Sequence, residues 1–211
     1  MADYAPMHER ANIATHVAGF ILGLIAFPIL FFHALRSPQG DIPTLLGVVV
    51  YGISFLMVFG FSSLYHYQSK PERRHLMKVW DHISIYYLIA GTYTPFILAY
   101  ANKVDTRSML GFIWIFALVG TAFKVFFTGK YRLVSTLIYL AMGWMIIAAP
   151  LSFKDAITDN SVFWIATGGV FYTVGVIFYL VKLIPYHHAI WHLFVLGGAV
   201  SHLIGVWGLY S

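Results

Sequence analysis

Seven apolar stretches constrain this chain more than any other feature. They run at about 16–35, 43–66, 80–100, 109–127, 134–151, 161–181 and 188–209. Each comes close to the ~20 residues a helix needs to cross a bilayer. Lipid offers backbone amides no partner, so a spanning chain must be helical or a closed barrel. Unbroken apolar runs of this length point to helices. The composition agrees: 60% of the residues are hydrophobic and 10% charged, against about 25% charged in soluble domains. The expected fold is an all-α membrane protein, a seven-transmembrane-helix bundle forming a single domain over 1–211. No connection is long enough to separate domains.

Residues 1–15 form a short N-terminal segment before the first span. They lack a strongly basic start, and the apolar run that follows is long for a signal sequence, so 16–35 reads as the first transmembrane helix. Cations set the expected orientation. With a cytoplasmic N-terminus the inner set is Arg10, Lys70, Arg73, Arg74, Lys78, Lys124, Lys130, Arg132 and Lys182. The outer set is Arg36, Lys103, Arg107 and Lys154. Nine against four favours a cytoplasmic N-terminus and an external C-terminus. Lys124, near the end of the fourth span, is expected to snorkel to the interface. The net charge of +5 is scattered between spans, unlike the concentrated patch of a nucleic-acid-binding protein.

The chain has no cysteine and ten histidines, so a soft-metal site must be built from imidazole. His188 and His192 are four residues apart and share one face of the last span. His66 ends the second span. Seven crossings bring these three to one depth, together with Asp81 at the start of the third. Three imidazoles with an open fourth position match a catalytic zinc site, where the ion lowers the pKa of a bound water to about 7. Asp81 is the expected proton acceptor. Ser62, one turn before His66, is expected to orient the water or donate to a developing oxyanion. The alternative is a set of polar contacts between helices, a common use of Ser and His in membranes.

Other polar residues fall around this set. Glu9, Asn12 and His16 share a helical face leading into the first span. They support or open onto the site, or else mark the headgroup boundary. His82 points about 100° away from Asp81 on a helix, which makes it a supporting residue. His75 and His187 are expected in solvent. His202 lies ten residues, about 15 Å, beyond His192 and cannot share its ion; it reads as a structural contact. A haem pair of His188 and His202 lacks a matching pair on another helix. Gly91-Thr92-Tyr93-Thr94-Pro95 reads as close helix packing with a kink.

Taken in order, these motifs resemble a known family. Glu9-Arg10-Ala11-Asn12-x-x-Thr15-His16, Ser62-x-x-x-His66, Trp80-Asp81-His82-x-x-x-Tyr86-x-x-Ile89-Ala90-Gly91-x-Tyr93-Thr94-Pro95 and His188-x-x-x-His192 are similar to the hemolysin III branch of the progestin and adipoQ receptor family. The resemblance implies seven helices with a cytoplasmic N-terminus. By similarity to the adiponectin receptors, it implies Zn2+ on His66, His188 and His192, with Asp81 reaching it through a water. The wider superfamily includes alkaline ceramidases, which cleave a lipid amide. The chain lacks the long N-terminal region of the adiponectin receptors, so a hormone-receptor role is not implied.

The expected function is zinc-dependent hydrolysis of a membrane lipid, with an amide as one candidate bond, in the bacterial cytoplasmic membrane. The expected partner is a membrane lipid and not nucleic acid. A lipid- or fluidity-sensing regulator with structural zinc is the alternative. A lytic activity is a third reading, which the absence of a charge ring along the spans argues against.

Overall fold

The computed structural model describes residues 4–101 and 106–211. They form α1 (Tyr4–Arg36), α2 (Ile42–Tyr67), α3 (Pro71–Ala99), α4 (Arg107–Phe127), α5 (Arg132–Gly143), a 3-10 turn (Met145–Ala148), α6 (Leu151–Ala156), α7 (Asp159–Leu180) and α8 (His187–Trp207). There is no strand among the described residues. Within α1, α2, α4, α7 and α8 lie five stretches long and apolar enough to cross a membrane. The expected outer cation Lys103 lies outside the described residues, as does Asp3 of the N-terminal segment.

Local chemistry starts these helices where the sequence allows. The Asp41 carboxylate accepts from the Thr44 amide at 3.0 Å and caps α2, and Thr158 accepts from the Ser161 amide to cap α7. Such caps satisfy donors that a helix start leaves free. Pro71 sits at the first turn of α3, where its missing N–H costs nothing. That start differs from expectation. The charged stretch 67–79 reads as a loop, yet only residues 68–70 fall between helices, and Arg74 and Lys78 stand on the first turns of α3. Charge lowered the hydropathy there without breaking the helix. Likewise α1 starts at Tyr4 rather than near His16, so Glu9 and Asn12 are helical.

The fifth apolar stretch also departs from expectation. Residues 134–151 are not one helix: α5 ends at Gly143, a 3-10 turn follows, and Pro150 precedes the six-residue α6. Apolar composition conceals the break, because hydropathy does not register backbone conformation. Tyr93 satisfies the freed backbone. Its hydroxyl donates to the Gly143 carbonyl at 2.6 Å and accepts from the Ile146 amide at 3.2 Å. The broken stretch nevertheless runs alongside α3. Tyr139 bonds the His82 carbonyl near one end, Tyr93 meets 143 and 146, and Tyr100 accepts from the Thr158 amide at the other end.

α1 packs on α2 and α8, α2 on α3, α3 on α4, and α7 on α8, while α5 touches both α3 and α7. α3 fits closely on α2 because Gly91 leaves no Cβ to collide with Ser54 and Gly47 none to meet Pro95. Close approach through small residues is how helices associate where lipid removes the hydrophobic drive. The outer faces are apolar. Ile21, Leu24, Ile25, Ile29 and Phe32 on α1, and Phe112, Ile115, Phe116 and Val119 on α4, are exposed. The inner faces surround a cavity of about 660 Å³.

Candidate metal centre

Two helices supply the three imidazoles. His66 stands in the last turn of α2, His188 and His192 in the first two turns of α8. Each offers a ring nitrogen, and these three atoms lie within 4.8 Å of one another. Ring centroids are 5.2 Å apart for His66–His188, 5.1 Å for His66–His192 and 4.4 Å for His188–His192. His66 and His192 are buried, and His188 is half-buried. All three line the cavity.

Outer bonds orient two of these rings. Glu9 Oε2 lies 2.6 Å from His66 Nδ1. A carboxylate accepts, so the proton belongs on Nδ1, and the Nε2 lone pair is left free. That Nε2 is buried and has no hydrogen-bond partner. Such an orphaned acceptor calls for an explanation, and a cation ligated by imidazole nitrogen fits it. The Thr15 hydroxyl donates to the Asn12 carbonyl at 2.9 Å, and His192 Nδ1 lies 3.3 Å from the same oxygen. With its own hydrogen committed to the helix, Thr15 accepts from Nδ1 and leaves Nε2 of His192 for a ligand. A carboxylate or hydroxyl behind a ligating imidazole is the usual support for a metal. The donor set therefore fits a divalent ion that takes imidazole nitrogen.

The remaining expected residues are placed as follows. Glu9 also pairs with Arg74, and its Oε2 lies 3.4 Å from Asn12 Nδ2. Asn12 in turn lies 3.4 Å from His66 Nδ1. His16 is buried edge-on against His192, with centroids 3.9 Å apart, and both its nitrogens lack a hydrogen-bond partner. Asp81 is largely buried and lines the cavity, but it stands outside the three-imidazole set. Ser62 is buried and, like Asp81, lines the cavity. His82 Nδ1 is 3.7 Å from Asp81 Oδ2 and is held 2.7 Å from the Lys78 carbonyl. It stands outside the three-imidazole cluster.

His202 is remote, with Nε2 bonded to the Ile165 carbonyl at 3.2 Å in a space that a Cβ on Gly168 would fill. His75 is exposed as expected. His187 is not fully solvated: it is half-buried, with Nδ1 3.1 Å from the Phe178 carbonyl. Thr15 is the contributor that inspection of the sequence left without a role. Its signal is spacing, three residues or about one turn after Asn12.

An all-α, multi-pass membrane protein with a buried histidine cluster is thus defined by fold and site. Residues 4–203 match the family described as haemolysin-III related, and the chain belongs to that family, the hemolysin III branch of the progestin and adipoQ receptors. It is 41% identical to Hemolysin-3 of Bacillus cereus, covering 90% of this chain and 86% of the relative. It is 37% identical to the Hemolysin-3 homolog of Bacillus subtilis, covering 92% and 90%. The human monocyte to macrophage differentiation factor is 31% identical, covering 94% and 83%.

Proposed function

We propose that this chain is a single seven-span bundle of the bacterial cytoplasmic membrane that holds Zn2+ and hydrolyses a membrane lipid. The observation that carries the reading is the orphaned Nε2 of His66, backed by Glu9, facing two more imidazoles in a large cavity. Two facts support seven crossings. The broken fifth stretch and the segment that joins it to α7 accompany α3 from His82 to Tyr100, about 27 Å of helix. The nine-to-four cation count favours an inner N-terminus and an outer C-terminus.

His66, His188 and His192 would hold the ion, which supplies Lewis acidity toward a carbonyl oxygen. Asp81 removes the proton of the attacking water and returns it to the departing nitrogen or oxygen of the cleaved bond. Ser62 holds the Asp81 carboxylate in line. The wall between His192 and His202, including Val195, Ile165 and Phe96, takes the apolar chain.

The test is reconstitution of wild type and Asp81→Asn with ceramide-like and phospholipid substrates, measuring zinc and released fatty acid. Asp81→Asn should keep zinc and lose roughly 10²–10⁴-fold in rate. Full zinc with no fatty acid released by wild type would overturn hydrolysis. A regulator is favoured by one observation: Glu9, Asn12 and Thr15 ride on α1, whose opposite face is exposed and apolar. Tilting α1 would shift the partners of two triad histidines together. The names of the bacterial relatives suggest lysis; release of dye from vesicles tests that directly.

A further inference from the structure

Lys124 is the least explained charge in the molecule. It stands in the last turn of α4 and is 2% exposed. It does not snorkel outward as its position suggests. Its ammonium lies 5.8 Å from the centre of the Tyr139 ring, on the cavity wall. Among the described residues it makes no ion pair and no side-chain hydrogen bond. Lys78, half-buried on α3, lines the same wall and also lacks an ion pair among the described residues. Its ammonium would be 3.7 Å from a Cβ at Gly129, a positive-φ residue of the turn between α4 and α5.

The nearby charges do not answer these two. Glu9 is committed to His66 and Arg74. Asp81, three residues along α3 from Lys78, forms no ion pair with it among the described residues. Arg132 is held by the Tyr179 carbonyl and ring. Across the cavity lining, six Lys and Arg side chains face two carboxylates. Burying an ammonium without a counter-ion is costly, and a hydrophobic replacement of similar volume is commonly more stable. A lysine kept in that position signals an anion that completes it, and the lysine ammonium is a frequent point-charge partner for phosphate.

We infer that Lys124 and Lys78 bind the phosphate of a phosphate-bearing membrane lipid, whose apolar chain occupies the rest of the cavity. The inference rests on the reading of the cavity as a lipid site and is independent of hydrolysis. Lys78 stands one turn before His82 and three residues before Asp81, so a phosphate held there lies beside the proposed reaction centre. The substrate class is thereby narrowed to a phospholipid or phosphorylated sphingolipid.

The experiment uses full-length purified protein in a neutral detergent. Dioctanoyl phosphatidic acid, dioctanoylglycerol and inorganic phosphate are titrated separately against wild type, Lys124→Met, Lys124→Arg, Lys78→Met and the exposed-cation control Lys154→Gln. Lipid adducts are counted by native mass spectrometry and melting temperature is followed. Without lipid, Lys124→Met should melt above wild type. Phosphatidic acid should bind about tenfold or more weakly to Lys124→Met and Lys78→Met than to wild type. Lys124→Arg should retain most of the affinity, and Lys154→Gln all of it. Dioctanoylglycerol should not distinguish the proteins. Equal phosphatidic acid binding by wild type and both Met variants overturns the site. Inorganic phosphate reproducing the full stabilisation at equal concentration overturns the lipid assignment. Fatty acid release, assayed in the same samples, separates the two ideas: lysine-dependent binding without release supports this site while hydrolysis fails, and release without lysine dependence overturns it while hydrolysis stands.

Discussion

Two walls of the cavity treat polar groups in opposite ways. On the wall of α1, α2 and α8, two of the imidazoles are backed: Glu9 holds His66 and Thr15 holds His192. On the wall of α3 and α4, the Lys78 and Lys124 cations lack ion-pair partners among the described residues. The first wall presents lone pairs inward and suits a cation. The second presents ammonium groups inward and suits an anion. The contrast teaches that a buried polar group is informative through what remains unpaired after its protein partners are counted.

Removing the imidazoles should give the largest response. His66→Ala, or His188→Ala with His192→Ala, should take zinc from about one per chain to near none, read by elemental analysis of purified protein. Melting temperature should fall with it, since metal binding stabilises the folded form. His202→Ala should keep its zinc. Loss of zinc from His202→Ala with retention in His188→Ala would dissolve the contrast between the walls.

Weakening the backing should matter less. Glu9→Gln keeps the shape of the side chain but removes the charge behind His66. Zinc affinity, measured by competition with a chelator, should drop roughly 10–100-fold. An unchanged affinity would mean that the carboxylate serves Arg74 alone.

The smallest effect concerns neither wall directly. Tyr93→Phe removes one hydroxyl that serves both Gly143 and Ile146. It should cost about 1–3 kcal/mol of stability, the range for leaving a buried polar group unmatched, while zinc content is retained. Thermal unfolding in detergent reads the first and elemental analysis the second. Loss of zinc here would show that the break in the fifth stretch shapes the metal centre.

Much of the candidate histidine cluster was legible because helical spacing is enough to align it. His188 and His192 share a face by being four apart, and Glu9, Asn12 and His16 do so in α1. Other features depend on which way a helix faces, which an apolar run does not encode. Lys124 lies in a helix whose flanking residues are apolar on every side, so its inward direction follows from how α4 packs on α3, where Gly120 admits Tyr86. The break after Gly143 was invisible for a related reason: Trp144, Met145, Ile146 and Ile147 are as apolar in a turn as in a helix. The early starts of α1 and α3 were hidden by charges that a helix tolerates where it leaves the apolar layer.

The divided fifth stretch carries a consequence for how the protein is assembled. A twelve-residue helix such as α5 covers about 18 Å, short of the ~30 Å hydrocarbon layer. The turn beyond it exposes amides and carbonyls that lipid cannot satisfy. Tyr93 of α3 supplies two of those partners and Tyr100 supplies a third near the start of α7. If this stretch crosses the membrane, it does so with α3 as the source of those partners. On the seven-crossing reading it is held in place by α3, so the wall of the cavity that it forms depends on that neighbour.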